Sequence, residues 1–295
     1  MTLLCGTDFS TNASRAAVAA GWLAARLREP LTLVHVCSDP EGSRPQAEAQ
    51  LEREVSALMR RCGADVTPLV TGGKPAQRLV ELAVERDAQM LIVSSLGASK
   101  KARWLLGSVA ERVAAHSPVP TLVIRDEEVF ERWAQDEAAL RILVGVEPRD
   151  GLEATLRWAE ALRAVAPCSL SVGQIAWPAE EQTRAEVPPP IPLDRLRPEL
   201  EAKLLEELRR WAEAAQPDGA ADDAPGNPTR FIVRAGWGRV DAHLLQLAKE
   251  EATDLLVVGT HRRAVLDRLW KGSVSRAVLH EAPMSVAVLP WPAPH

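Results

Sequence analysis

Two stretches of this 295-residue chain repeat one another at a single ungapped offset. GSVAERVAAHSPVPTLVI begins at Gly107, and GSVSRAVLHEAPMSVAVL begins at Gly272, an offset of 165. The same offset brings Leu82 onto Leu247, Ser94 onto Gly259 and Pro118 onto Pro283. An unbroken register of this length marks an internal duplication, so any fold must contain two copies of one unit. Near the start of each copy, RILVGVE (Arg141 to Glu147) matches the opening LLCGTD, with Gly145 on Gly6 at an offset of 139. The second copy therefore carries about 26 extra residues (165 − 139), which fall within 177–228.

Within a copy, short apolar runs alternate with amphipathic stretches. In the first, strands are expected at Thr2–Thr7, Leu31–Val36, Val66–Thr71, Met90–Ser94 and Val119–Arg125. Helices are expected between them. Ala13–Arg28 follows the Ser10-Thr11-Asn12 capping cluster, and Gln46–Cys62 stops at Gly63. Pro75–Asp87 has proline in its first turn, and Ser108–His116 precedes Pro118. Leu31–Val36 shows no polar alternation, as suits a strand covered on both faces. Strand–helix alternation of this kind predicts an α/β fold: a parallel sheet with helices on both sides, doubly wound in the order 3-2-1-4-5. The chain then divides into a first domain at 1–126, a helical linker at 127–139 and a second domain at 140–295. The second domain has its insertion around 177–228, where a cluster of prolines (Pro188, Pro189, Pro190, Pro192) precedes an expected helix at Leu193–Ala215.

Composition removes several classes of function. A formal net charge of −5 gives no general attraction to a polyanion, so no nucleic-acid partner is expected. No run reaches the roughly 20 apolar residues that span a bilayer, so no membrane role is expected. The N-terminus lacks the basic start of a signal peptide, and Cys5, Cys37, Cys62 and Cys168 form no CxxC pair. These features predict a cytoplasmic protein with buried thiols and no metal centre.

A doubly wound sheet binds ligands where the strand order reverses, at the carboxyl ends of its first and fourth strands. In the first copy Asp8 and the segment Ser94 to Gly97 flank that crevice, and Gly107-Ser108 opens the next helix. Glycines admit a phosphate close to the backbone, and a helix N-terminus offers unpaired N–H donors. The intervening Lys100-Lys101-Ala102-Arg103 can neutralise phosphate charge, and Asp8 can accept from an adenine amine or a ribose hydroxyl. Each piece also has a purely structural reading. Ser108 with Glu111 fits a capping box, Asp8 can brace the turn at Ser10, and the basic run can be a solvated loop. His35 is expected in the core, and His261 in an exposed loop.

Taken together these residues resemble the universal stress protein family across both copies. Nucleotide-binding members carry an early Asp and the pattern G-x2-G-x9-G-[ST]. The first copy keeps the spacing as Ser94-x2-Gly97-x9-Gly107-Ser108, with serine for the first glycine. The second reads Gly259-x2-Arg262-x9-Gly272-Ser273, with Glu147 for the early Asp. The resemblance implies ATP or a related adenine nucleotide bound in the first copy, with a backbone group near Val36 meeting the base. It also implies pairing of the two copies through their fifth strands, Val119–Arg125 and Ser285–Pro290, and a homodimer of the whole chain is a further possibility. Three functions follow: a non-enzymatic nucleotide-binding stress protein, a ligand-free scaffold of the same fold, or a nucleotide hydrolase. The last lacks a catalytic base, a Walker-type loop, and the HIGH or SGGxDS strings of adenylylating relatives. Trp133, Trp177, Trp211 and Trp237 are candidate surface anchors for the scaffold.

Overall fold

The computed structural model describes residues 2–37, 43–97, 106–147, 152–185, 195–215, 228–261 and 274–291. The first copy runs β1 (Thr2–Thr7), α1 (Thr11–Leu27), β2 (Leu31–Cys37), α2 (Arg44–Cys62), β3 (Val66–Gly72), α3 (Pro75–Glu85), β4 (Ala88–Ser94), α4 (Ser108–His116) and β5 (Thr121–Ile124). After α5 (Glu128–Ala134) the second runs β6 (Leu140–Val146), α6 (Leu152–Arg163), β7 (Cys168–Ala176), α7 (Pro178–Arg184), α8 (Pro198–Ala215), β8 (Arg230–Ala235), α9 (Val240–Glu250), β9 (Leu255–His261), α10 (Val274–Glu281) and β10 (Ser285–Trp291).

All ten strands form one sheet in the order β3-β2-β1-β4-β5-β10-β9-β6-β7-β8. Read from either edge, each copy has the doubly wound order 3-2-1-4-5. Pairing is parallel throughout except at the centre, where β5 and β10 run antiparallel with Leu122 opposite Ala287. The strands are apolar on both faces because both faces are covered. One layer, built from α1, α2, α5, α6 and α8, packs on Leu3, Leu33, Ile142 and Val172. The other, from α3, α4, α9 and α10, packs on Leu4, Val34, Leu143 and Val258.

The two copies use the same close approach of helix to sheet. A Cβ on Gly6 would lie 2.8 Å from Leu79, and one on Gly145 would lie 2.7 Å from Leu244. Leu79 and Leu244 are themselves related by the offset of 165.

Several sequence expectations change here. The helix read at Leu193–Ala215 as part of the insertion starts at Pro198 and occupies the place of α2. It lies between β7 and β8 in sequence and packs on α6 and β8, as α2 packs on α1 and β3. Within the described residues the insertion is thus represented by α7. The proline cluster Pro188 to Pro192 and residues 216–227 lie outside them. The linker is a buried element, because Phe130 and Trp133 on α5 are both fully enclosed. Of the remaining tryptophans read as anchors, Trp211 is partly buried against the core, while Trp177 and Trp237 are exposed.

The Ser108–Glu111 capping box does not form. The N-cap is Gly107, no side chain caps α4, and the Glu111 carboxylate turns to Arg276 and His280 of the second copy. His35 is only half-buried, because β2 carries it to the rim of the crevice.

Candidate functional site

Sheet order reverses between β1 and β4, and the helices that follow them, α1 and α4, lie on opposite faces of the sheet, so a crevice opens at the carboxyl ends of these strands. Asp8 follows β1, and its Oδ1 accepts the Ser10 N–H at 3.1 Å, so the bracing role is real. Ser10 in turn caps α1 by accepting the Ala13 N–H at 3.2 Å. Both bonds hold the β1–α1 turn in one shape and direct the Asp8 carboxylate across the reversal point.

It meets the β4 side at Gly97. A Cβ there would lie 2.7 Å from Asp8 Oδ2, so any larger residue would push the carboxylate away. Gly97 is not among the described glycines with positive φ, so it is required for space rather than backbone freedom. Gly107 completes the rim: its Cβ would stand 3.5 Å from the Gly97 amide nitrogen and 3.4 Å from the Ser95 carbonyl oxygen. The Gly107 N–H donates to that carbonyl at 2.7 Å, which ties the start of α4 to the end of β4. Gly107's own donor is therefore spent, and the N–H groups available to a ligand are those of the first turn of α4, beginning at Ser108. Ser94, where the family pattern has glycine, ends β4 without positive φ, and its hydroxyl donates to the Leu96 carbonyl at 2.8 Å. The serine braces the loop and does not strain it.

Beside this rim lies a feature that sequence reasoning missed. Phe9 adopts φ +60, an uncommon conformation for an aromatic residue, and its N–H donates to the Thr7 hydroxyl at 3.1 Å. This turn stacks the Phe9 ring on the His35 imidazole, with centroids 4.2 Å apart and planes 26° apart. His35 Nδ1 sits 2.9 Å from the Thr7 carbonyl. A carbonyl only accepts, so Nδ1 carries the proton. The stack stands one residue from both Asp8 and Val36, the latter buried near the end of β2. No local signal marks a non-glycine residue for positive φ, so the stack was not readable beforehand.

The second copy differs at the same places. Glu147 is exposed just beyond β6, and Gly259 lies within β9. Arg262, Gly272 and Ser273 lie outside the described residues, as do Lys100, Lys101 and Arg103 of the first copy. His261 ends β9, so it is not the loop residue expected. Gln174 takes the place of His35, since it pairs with Val146 as His35 pairs with Thr7. It is 1% exposed, and neither atom of its amide has a partner among the described residues. The aromatic stack is therefore specific to the first copy.

A model described as the universal stress protein family matches residues 1–125 and 139–290. The chain belongs to the universal stress protein family. It is 27% identical over 306 residues to a universal stress protein of Mycobacterium tuberculosis, covering 97% of this chain and 96% of the relative. A second universal stress protein of that organism is 29% identical over 232 residues, covering 77% of this chain and 67% of the relative. The crystal structure of a universal stress protein from Archaeoglobus fulgidus superposes with a TM-score of 0.68, covering 98% of both chains. At 16% identity that likeness is one of fold. No helix among the described residues of this universal stress protein is long and apolar enough to cross a membrane.

Proposed function

We propose that this universal stress protein binds an adenine nucleotide, ATP or a close relative, in the crevice of its first copy. The nucleotide biases conformation and partner choice without being turned over. The observation that carries the reading is the contact of the Asp8 carboxylate with Gly97, which brings both halves of the family's nucleotide pattern onto one rim. In this reading the base lies near Val36 and the Phe9–His35 stack, Asp8 accepts from the base or ribose, and the first turn of α4 receives phosphate. The second copy, with Gln174 and Glu147 in these places and Arg262 in its loop, binds weakly or not at all. The four cysteines are buried and form no disulfide, which suits a reducing compartment such as the cytoplasm.

The test is thermal unfolding with and without ATP, joined to chromatography of any nucleotide released when the purified protein is denatured. Ligand at one hundred times Kd stabilises by about 2.7 kcal/mol. Asp8→Ala is expected to weaken ATP by about tenfold, the loss of one charge-assisted hydrogen bond. Gly97→Ala is expected to act similarly by displacing the Asp8 carboxylate, and to leave the stability of the free protein within about 0.5 kcal/mol, since Asp8 is exposed. Absence of both a thermal shift and bound nucleotide would leave a second reading, a ligand-free scaffold. The pairing of β5 with β10 favours it, because it joins the two copies within one chain, and light scattering would reveal a dimer of whole chains. Phosphate release abolished by Asp8→Ala would instead establish hydrolysis.

A further inference from the structure

We infer that the seam between the two copies accepts only an unlike copy, and that Glu111 facing Arg276 enforces this choice. The inference rests on the reading that the copies pair within one chain, and it concerns how that pairing is specified.

β5 and β10 pair in a single antiparallel register. Val123 lies opposite Val286, Leu122 opposite Ala287, and Thr121 opposite Val288. Under the offset of 165, Leu122 and Ala287 are the same position, and the two flanking pairs exchange with each other. The local two-fold relating the copies at this seam therefore passes through Leu122 and Ala287. A residue on such an axis faces its own equivalent, as in any isologous interface.

Glu111 and Arg276 are also one position under this offset, and they too face each other, since α4 packs against α10. Arg276 Nε donates to Glu111 Oε1 at 3.0 Å, and Nη2 lies 2.9 Å from the same oxygen. His280 Nε2 stands 3.2 Å away. Both members of the pair are roughly one-third exposed, at 35% and 29%. Two first copies joined by the same operation would set Glu111 against another Glu111. Two second copies would set Arg276 against Arg276. Only the mixed pair brings opposite charges to the axis, and like charges held together count against the wrong partner.

A separate contact points the same way. The Arg125 N–H donates to the Ser285 hydroxyl at 3.1 Å, and its guanidinium donates to the Leu279 carbonyl at 2.7 Å. The equivalents are Pro290 for Arg125 and Pro120 for Ser285. Proline has no N–H to give and no hydroxyl to receive one. Two first copies would therefore leave the Arg125 N–H facing Pro120, and two second copies would leave Ser285 facing Pro290. The partner that fits each surface is the other copy, from the same chain or from another molecule of it.

The experiment uses the full chain with Glu111→Arg, Arg276→Glu and the double exchange, read by thermal unfolding. Each single variant places like charges on the axis and is expected to lower Tm by about 3–6 °C. The double variant is expected to recover at least half of the summed loss, a coupling that separate sites do not show. Strict additivity would overturn the inference. A parallel variant, Glu111→Cys with Arg276→Cys, is treated with a short bismaleimide, the four native thiols being buried. A cross-link within monomeric chains supports pairing of the copies. A cross-link combined with additive thermal shifts leaves the pairing standing and removes the charge selection. Failure to cross-link overturns the pairing and the selection together.

Discussion

Trp133→Ala is expected to cost about 3–5 kcal/mol, the range for deleting a large aromatic side chain from a packed core. Its sequence surroundings, Asp126 to Ala139, are charged and read as a connector. In the fold, Trp133 and Phe130 are among the largest fully buried side chains. α5 packs against α1 and β6, so it touches both copies. Three bonds hold it there. Arg15 Nε pairs with Glu127 at 2.5 Å, Arg61 Nη2 with Glu131 at 2.7 Å, and Arg26 Nε donates to the Ala134 carbonyl at 2.6 Å. These are partly exposed contacts and add little singly, so the apolar burial dominates. Glu128→Ala on the exposed face of the same helix is expected to change stability by less than about 0.5 kcal/mol. Urea denaturation of both variants decides the matter. A Trp133→Ala loss below about 1 kcal/mol would return α5 to the status of a passive connector.

The second large effect is alkaline unfolding. Burial raises the pKa of Cys62 to about 11 and of Cys168 to about 12, and raises that of Cys5 as well. In the unfolded chain these thiols titrate near 9. Between these limits the unfolded state has released protons that the folded state still holds, so stability falls as pH rises. Below about pH 8 both states are protonated and the loss is absent. The slope approaches about 1.4 kcal/mol per pH unit for each thiol ionised only in the unfolded chain, so three thiols remove about 6 kcal/mol between pH 9 and 11. That is comparable to the whole stability of an ordinary domain, about 5–15 kcal/mol. The midpoint is expected at about pH 10–11. The chain has no tyrosine, so no phenol titrates in this window, and its nine tryptophans report the transition. Replacing Cys62 and Cys168 together by alanine is expected to move the midpoint up by at least about half a unit. A stability that stays level to pH 11 in the parent protein would contradict the argument.

The candidate site was legible in outline only. The spacing from Ser94 through Gly97 to Gly107 is a sequence pattern, and so is an acid just after the first strand. What the glycines are for was not legible: Gly97 is small because Asp8 lies against it, 89 positions earlier in the chain. Ser94, where the family pattern has glycine, brings no backbone strain, because that position does not adopt positive φ. The Phe9–His35 stack depends on a backbone conformation that no residue type at position 9 announces.

Sequence alone determined the duplication, the alternation of strands with helices, and the order of elements. Those properties are local: hydrophobic period, caps and repeat register are set by residues within a few positions of each other. The tertiary structure decided that a charged connector buries its tryptophan, that the helix at Pro198–Ala215 belongs to the repeated unit, and that Glu111 leaves its own helix cap for Arg276. Each of these depends on which distant side chain arrives as a neighbour, and a burial or an ion pair has no value until that neighbour is known.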